Sequence, residues 1–487
     1  MKAKKIIKAL GICGRTPAFD DFEVQGISCN SKEVSQKFIF VAIKGAREDG
    51  AKFIKEAAAR GARLVVVQLP ADTSGLPRNL TLIAVKDARR ALADLAAEFY
   101  VYPSSRIKVV GVTGTNGKTT VTYLLEVLLK KAGNSPAVLG TVNYRFKNKI
   151  IPAKNTTPGP IQLQALLAEM AGEGMDFALM EVSSHALDQE RAGGVDFHSA
   201  IFTNLTQDHL DYHRDMESYF RAKAKLFENL KPGSFAVLNY DDGYARRLKD
   251  LTRARVISYG IEEQADFGAK ILNFNCKGSR FLLSFPQGEI EINTALIGRH
   301  NIYNLLAAAA WGYQAGISMQ VIKSALAALY PVPGRLERID GTNSFSIFVD
   351  YAHTQDALKN AITALRQLCQ KKIIVVFGCG GERDKSKRPK MGEVAAQLSD
   401  YAIITSDNPR SEEPQAIIKD IEKGIASKNY CIIPERREAI RKSLALAREG
   451  DIVLIAGKGH EDYQILKDRR IHFDDREVVR ECLRQTS

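Results

Sequence analysis

No apolar run in this 487-residue chain approaches the roughly 20 residues that a membrane-spanning helix needs, so no membrane partner is expected. Cysteine is scarce and unordered: there are seven, an odd number, and no two form a C-x-x-C pair. That excludes a disulfide framework, offers no zinc-ligand spacing, and reads as reduced, mostly packed thiols of a cytoplasmic protein. The opening "MKAKKIIKALGICG" begins basic, but Lys8 interrupts its short apolar stretch and no clear small-residue cleavage site follows, so no signal peptide is expected. There is no fixed-period repeat and no low-complexity tract. Aromatic residues do not interleave with the basic ones, whose densest clusters are "KDRR" and "ERDKSKRPK". The net charge of +13 therefore reads as attraction for small substrates carrying phosphates and carboxylates, and no nucleic-acid partner is expected. A monomer is the expected state.

What is present is an ordinary globular composition, 45% apolar and 26% charged, long enough for about three domains. Residues 1–104 mix short strands ("KFIFVAIKG", "ARLVVVQ") with a helix in "FIKEAAARGA", and "VYPSSR" follows as a linker. Over residues 105–333 strands and helices alternate, which predicts a mostly parallel sheet with helices on both faces. After "VPGRLE", residues 334–487 form a third α/β segment. Its strands end in the polar tails "GCGGERDK", "SDNPR" and "GKGHEDYQ". Ligands bind at the carboxyl ends of strands in open α/β sheets, so these tails are expected to meet at one crevice.

The strongest local signal is "VGVTGTNGKTTVTYLLEVLLKK", starting at Val110. Ile107 to Val112 reads as a buried strand and Val121 to Leu129 as a helix. Gly114 and Gly117 let the main chain turn tightly between them. A loop entering a helix N-terminus favours an anion. Lys118 adds a charge for a phosphate, and Thr119 can place a hydroxyl on Mg²⁺. The strict phosphate-loop pattern would need a glycine at Val112, so only the shorter G-T-N-G-K-T form is present.

Glu181 stands just past an apolar strand in "MEVSSHALDQERAGGVDF". It suits a second oxygen contact to Mg²⁺; the plain alternative is a solvated acid at a strand end. "FTNLTQDHLDYH" places Asp208, His209, Asp211 and His213 after another strand. "SYFRAKAKLFENL" reads as an amphipathic helix on which periodicity makes Lys223 and Lys225 solvent-facing. "VDYAHTQDAL" puts Asp350, Tyr351 and His353 at a strand end. Arg383, Asp384 and Lys385 precede a helix, Arg410 can fork onto a carboxylate, and Gly457, Lys458, His460 and Glu461 share a loop.

In order, "GTNGKTT", "NTTPGP", "EVSSHALDQER", "TNLTQDHLDYH", "AKAKLF", "GRHNIYN", "PGRLE", "DYAHT", "GCGGERDKSKRP", "DNPR" and "AGKGHED" resemble the motif set of the Mur ligase family. The match runs from about residue 111 to 463. The resemblance implies three α/β domains: one for the uridine end of the substrate, a central phosphate-loop ATPase, and a Rossmann-like domain for the incoming amino acid. It implies ATP-dependent amide formation through an acyl phosphate, with ATP and Mg²⁺ required. Its diamino-acid-adding branch joins meso-diaminopimelate to the D-glutamate of UDP-N-acetylmuramoyl-L-alanyl-D-glutamate.

Carried over by motif, Gly114, Thr115, Asn116, Gly117, Lys118, Thr119 and Thr120 would cradle ATP, with Asn301 and Asp350 toward adenine and ribose. Thr119, Glu181 and His209 would serve Mg²⁺. Lys223 looks like the lysine the family carbamylates to hold a second Mg²⁺, so Lys118, Lys223 and His209 would be catalytic. Asn155, Thr156, Thr157, Ser183, Gln189 and Arg191 would hold the muramoyl dipeptide. Ser31 would lie near the uridine, flanked by Asn30 and Lys32 where the family usually has Asp and Arg. Arg383, Asp407, Asn408, Pro409, Arg410, Gly457 and Glu461 would bind the amino acid. His300 replaces a common aromatic and Gln355 a common proline. A lysine-adding ligase, folylpolyglutamate synthetase, a nucleic-acid-stimulated P-loop NTPase and a non-catalytic nucleotide-binding regulator are the rivals.

Overall fold

The computed structural model describes the chain except for residues 12–18, 46–47, 72–75, 78–79, 276–277, 329–331, 340–343 and 487. Part of the basic N-terminal stretch, Cys13 and Cys276 thus lie outside the described residues. Among the described cysteines, Cys369, Cys379 and Cys482 are buried, Cys29 is exposed and Cys431 is intermediate. Among the described residues no helix is long and apolar enough to cross a membrane.

Near the N-terminus, strands Gly26–Ser28, Phe38–Ala42, Ala62–Gln68 and Thr81–Val85 pair in that order as a parallel sheet. The central sheet has eight strands. Its parallel part runs Arg255–Tyr259, Phe235–Asn239, Phe197–Phe202, Lys108–Thr113, Phe177–Glu181 and Pro136–Leu139, and two antiparallel strands, Asn143–Phe146 and Lys149–Pro152, extend it. The β period of two sends Val110 and Val112 to one face, beneath the helices Lys118–Lys131 and Arg299–Gln314, and Val109 to the other, beneath Pro160–Gly172 and Met216–Glu228. Burial on both faces explains why these strands are continuous apolar runs.

The expected alternation of strand and helix fails at two places: no helix separates Pro136–Leu139, Asn143–Phe146 and Lys149–Pro152, and a later run of strands leaves the central sheet altogether. Gly268–Asn275, Gly278–Phe285 and Gly288–Thr294 form a separate three-stranded antiparallel sheet. Its sequence carries the polar–apolar alternation of half-buried strands, in "SRFLLSF" and "EIEINT".

The C-terminal sheet runs Glu337–Ile339, Ser346–Asp350, Ile452–Ala456, Ile373–Phe377, Tyr401–Ile404 and Tyr430–Ile432, parallel apart from the first strand. Under it, Arg436 and Asp475 form a fully buried bidentate pair at 2.8 and 2.7 Å, with Arg436 Nη2 also donating to the Ala456 carbonyl at 2.9 Å. Asp475→Ala would strand a buried guanidinium whose Nη1 already lacks a partner among the described residues, and is expected to destabilise this sheet by about 3–5 kcal/mol. Denaturant unfolding monitored in the C-terminal half checks this; a change below about 1 kcal/mol would contradict it.

Candidate active site

Three neighbouring central strands, Phe197–Phe202, Lys108–Thr113 and Phe177–Glu181, deliver their carboxyl ends to one place. The loop after Lys108–Thr113 turns through Gly114 and Gly117, at φ 150° and 88°. A side chain on Gly114 would collide with the Thr203 hydroxyl, and one on Gly117 with the Asn304 amide. The loop is therefore glycine for conformation and for space. The helix begins at Lys118, earlier than its apolar periodicity shows, and no side chain caps it. Lys118 Nζ folds back to donate to the Gly114 and Thr115 carbonyls, both at 2.8 Å.

Glu181 is 1% exposed, which removes the reading of a solvated acid. Its Oε2 accepts from Thr119 Oγ1 and Thr141 Oγ1, both at 2.9 Å, and its Oε1 from the Thr141 N–H at 2.9 Å. Hydroxyls and a carboxylate are the hard oxygen donors that Mg²⁺ prefers, and this ion usually takes only one or two carboxylates plus substrate phosphates and water. Among the described residues no cluster of three or more His, Cys, Asp or Glu is assembled as a metal cage. The donor set thus fits an ion completed by a nucleotide. His209 has a left-handed conformation, φ 55°, with Nε2 3.4 Å from Asp208 Oδ2. Loss of water around the ring outweighs the pull of Asp208, and the neighbouring His185, Lys223 and Lys118 charges add to it, so the imidazole is held neutral.

Lys223 corrects the solvent-facing expectation: it is 2% exposed. Its Nζ donates to the Gly114 carbonyl at 2.9 Å and lies 4.6 Å above the Tyr219 ring. Two ammonium groups, of Lys118 and Lys223, thus share one carbonyl oxygen. Burial, then the Lys118 charge, lowers the Lys223 pKa well below the ordinary lysine range. Lys225 stays partly exposed, near Glu190 at 3.4 Å.

Asn155, Thr156, Thr157, Ser183, Gln189 and Arg191 gather on the other side of Glu181. Thr157 Oγ1 donates to the Glu181 carbonyl at 2.9 Å and accepts from the Ser183 N–H at 3.1 Å. Thr156 meets Thr141 at 3.1 Å, and the Asn155 carbonyl accepts from the Tyr144 hydroxyl at 2.5 Å. Arg191 is anchored to Gln189 Oε1 at 3.1 and 2.7 Å. Ser31 stands apart, in the N-terminal sheet region, donating to Glu56 at 2.9 Å. Asn301 and Asp350 are both buried and occupied: Asn301 bonds the Ile297 carbonyl at 2.8 Å, and Asp350 accepts the Leu336 and Ala352 N–H groups at 2.6 and 2.8 Å.

In the C-terminal sheet the three polar tails do meet. Gly457, at φ 116°, leaves room for the Asp407 carboxylate. Asn408 donates to Glu461 Oε2 at 2.8 Å and accepts from Lys458 Nζ at 3.1 Å and the Ile465 N–H at 3.0 Å. Asn408 is therefore a strut rather than a free donor. Burial, with Asp407 nearby, raises the Glu461 pKa. After Pro409, Arg410 has φ 53° and its Nη1 donates to the Gly381 carbonyl at 2.7 Å. Arg383 is exposed in the loop before the helix Lys387–Leu398.

Motif reading gave no role to two cations, Arg335 and Lys458, although Lys458 was placed in one loop with Gly457, His460 and Glu461. Arg335 of "PGRLE" brings Nη2 to 3.3 Å from Thr119 Oγ1, with its Nε buried and without a hydrogen-bond partner among the described residues. Lys458 is fully buried between Asn408 and Glu461, 3.5 Å from the latter. The signal for Arg335 was an arginine among turn residues in a motif quoted only for order; for Lys458 there was none beyond its loop.

Three family models match the chain in separate stretches. Residues 23–100 match the Mur ligase family, catalytic domain, residues 112–312 the Mur ligase middle domain, and residues 334–459 the Mur ligase, glutamate ligase domain. The UDP-N-acetylmuramoyl-L-alanyl-D-glutamate--2,6-diaminopimelate ligase of Geobacter metallireducens is 45% identical over 488 residues, covering 96% of this chain and 95% of the relative. The protein of that name from Syntrophomonas wolfei is 44% identical over 489 residues, covering 99% of each. A solved structure of a UDP-N-acetylmuramoyl-L-alanyl-D-glutamate--2,6-diaminopimelate ligase matches with a TM-score of 0.70 at 33% identity, over 100% of this chain and 99% of that one. With three family models matched in order and relatives 44–45% identical along nearly the whole chain, the chain belongs to the Mur ligase family.

Proposed function

We infer that this protein joins meso-diaminopimelate to UDP-N-acetylmuramoyl-L-alanyl-D-glutamate, using ATP, in the synthesis of cell-wall peptide precursors. The observation that carries this reading is likeness along nearly the whole of both chains, 99% of each for one relative, to ligases of that name. Residues 1–104, 105–333 and 334–487 are the proposed units for uridine, ATP and amino acid.

A glutamyl carboxylate oxygen attacks the γ-phosphorus, and the bond to the β-phosphate oxygen breaks to release ADP. The amine then attacks the acyl carbon, the amide forms, the amine gives up a proton, and phosphate leaves with the carboxylate oxygen. The free amide groups of the glycine loop and helix entry receive the phosphates, and Lys118, freed from its two loop carbonyls, faces the transferring group. Arg335, 3.3 Å from Thr119 Oγ1, supplies a second charge. Thr119, Glu181, His209 and a carbamylated Lys223 would hold Mg²⁺, which when bound neutralises phosphate charge. Thr157, Ser183, Gln189 and Arg191 orient the dipeptide, and its glutamyl end, beside that centre.

Lys118→Ala is expected to lower amide formation at least about 10²–10³-fold. The fold should survive, because the side chain's bonds are to two loop carbonyls. Product measured by mass, alongside thermal unfolding, tests this. Near-normal turnover by a folded variant would refute the assigned role of the loop.

A further inference from the structure

We propose that Asp356 is a positioning residue through which the docked C-terminal domain holds the phosphate loop ready for phosphoryl transfer. Asp356 lies in the first turn of the helix Gln355–Arg366, on the C-terminal side of the molecule. Its Oδ2 accepts from three donors: Asn116 Nδ2 at 2.9 Å, Thr206 Oγ1 at 3.3 Å and Asn360 Nδ2 at 3.2 Å. Asn360 is on its own helix. Asn116 and Thr206 belong to the central domain, at the ends of two adjacent strands.

The loop side of this contact is unusually well fixed. The Asn116 N–H donates to Asn204 Oδ1 at 2.9 Å, and its carbonyl accepts from Thr203 Oγ1 at 2.6 Å and Asn204 Nδ2 at 3.2 Å. Thr206 is tied to the loop as well, its N–H donating to Thr115 Oγ1 at 3.0 Å. With its backbone held from below, Asn116 presents its side-chain amide outward, and the partner it meets comes from the other domain. A carboxylate accepting from the loop is a charged hydrogen bond and stronger than a neutral one. Lys118 bonds the loop carbonyls of Gly114 and Thr115, whereas Asp356 meets the side chain of Asn116. It acts on the loop crest, and only while the C-terminal domain is seated. Acyl-phosphate formation is thereby linked to the arrival of the domain that brings the amine, which limits wasteful hydrolysis.

This inference rests on the ligase reading, and one assay separates the two. Wild-type enzyme that forms no product from ATP, the UDP-linked dipeptide and meso-diaminopimelate sinks the reading itself. Given wild-type turnover, Asp356→Ala is expected to lower kcat about tenfold or more while the Kd for ATP, measured by calorimetry without the other substrates, stays within about twofold. Asp356→Asn keeps an acceptor at the same place and should recover most of the lost kcat. Should Asp356→Ala fail to fold, Thr206→Ala removes one interdomain donor and is expected to lower kcat about threefold with the same unchanged Kd. A kcat within about twofold of wild type in both Asp356→Ala and Thr206→Ala overturns the proposal, as does a loss of ATP affinity equal to the loss in kcat.

Discussion

meso-Diaminopimelate is expected to be used over lysine by about 10⁴-fold in kcat/KM, and Arg410→Ala is expected to remove most of that preference. The two amino acids differ by one carboxylate on the distal carbon. A site built for that group needs a fixed cation. Arg410 is fixed: its N–H donates to the Ile465 carbonyl at 3.1 Å, its carbonyl accepts from the Lys467 N–H at 2.7 Å, and its Nη1 is anchored on Gly381. Among the described residues, its Nε and Nη2 have no hydrogen-bond partner. That leaves one guanidinium edge for a carboxylate, which a guanidinium binds through two parallel bonds. Lysine in the same place would leave the arginine unpaired, and a missing partner in a site made for it is what produces large discrimination. Arg383 would be a second cation and Glu461 would receive the distal ammonium. Steady-state kinetics with both amino acids decide the matter; comparable kcat/KM in the wild-type enzyme would show that this pocket does not read the distal carboxylate.

Lys223→Ala is expected to give a folded enzyme at least about 10²-fold slower, partly reactivated by added formate or acetate. The chemistry starts from the shared carbonyl of Gly114. A buried amine with a depressed pKa keeps more of its neutral form, and the neutral nitrogen is what attacks carbon dioxide. The ammonium first gives one proton to solvent; the neutral nitrogen then forms the N–C bond as a C=O electron pair moves to oxygen, a second proton leaves, and a cation has become a carbamate anion. That exchange relieves the crowding with Lys118 and adds an oxygen donor beneath the phosphate loop, at the Gly114 carbonyl. The fold should tolerate the truncation, since Gly114 keeps its bond from Lys118. Failure of any small carboxylate to restore activity, or full activity in a preparation whose Lys223 is demonstrably unmodified, would rule the modification out.

Much of this site was legible because its signals are local. A valine strand, two glycines, a lysine and a helix lie within one short segment, and their order alone gives the phosphate loop. Lys223 shows where local reading fails, and also a clue that was available. Tyr219, Phe220, Lys223, Leu226 and Phe227 fall on one helical stripe, and all are buried. A lysine on the apolar stripe is a lysine under something, but only the fold shows that the cover is the phosphate loop. The three-stranded antiparallel sheet was missed although its alternation is plain, because its neighbours follow a strand–helix rhythm. Arg335 and Asp356 were beyond reach for another reason. Each meets a partner more than two hundred residues away in sequence, and no periodicity encodes such a meeting. The order of motifs supplied what spacing could not for Lys223, but it gave no role to either of these.

The central claim is that the glutamyl carboxylate is activated by phosphorylation and then captured by the diamino acid. It is tested most directly by following a labelled oxygen. UDP-N-acetylmuramoyl-L-alanyl-D-glutamate carrying ¹⁸O in its glutamyl carboxylate, ATP and meso-diaminopimelate are turned over together, and the phosphate and the amide product are analysed by mass. The account predicts one labelled oxygen in the phosphate for each amide formed, with no phosphate release when the dipeptide is left out. Unlabelled phosphate, or phosphate release that does not depend on the dipeptide, would contradict it.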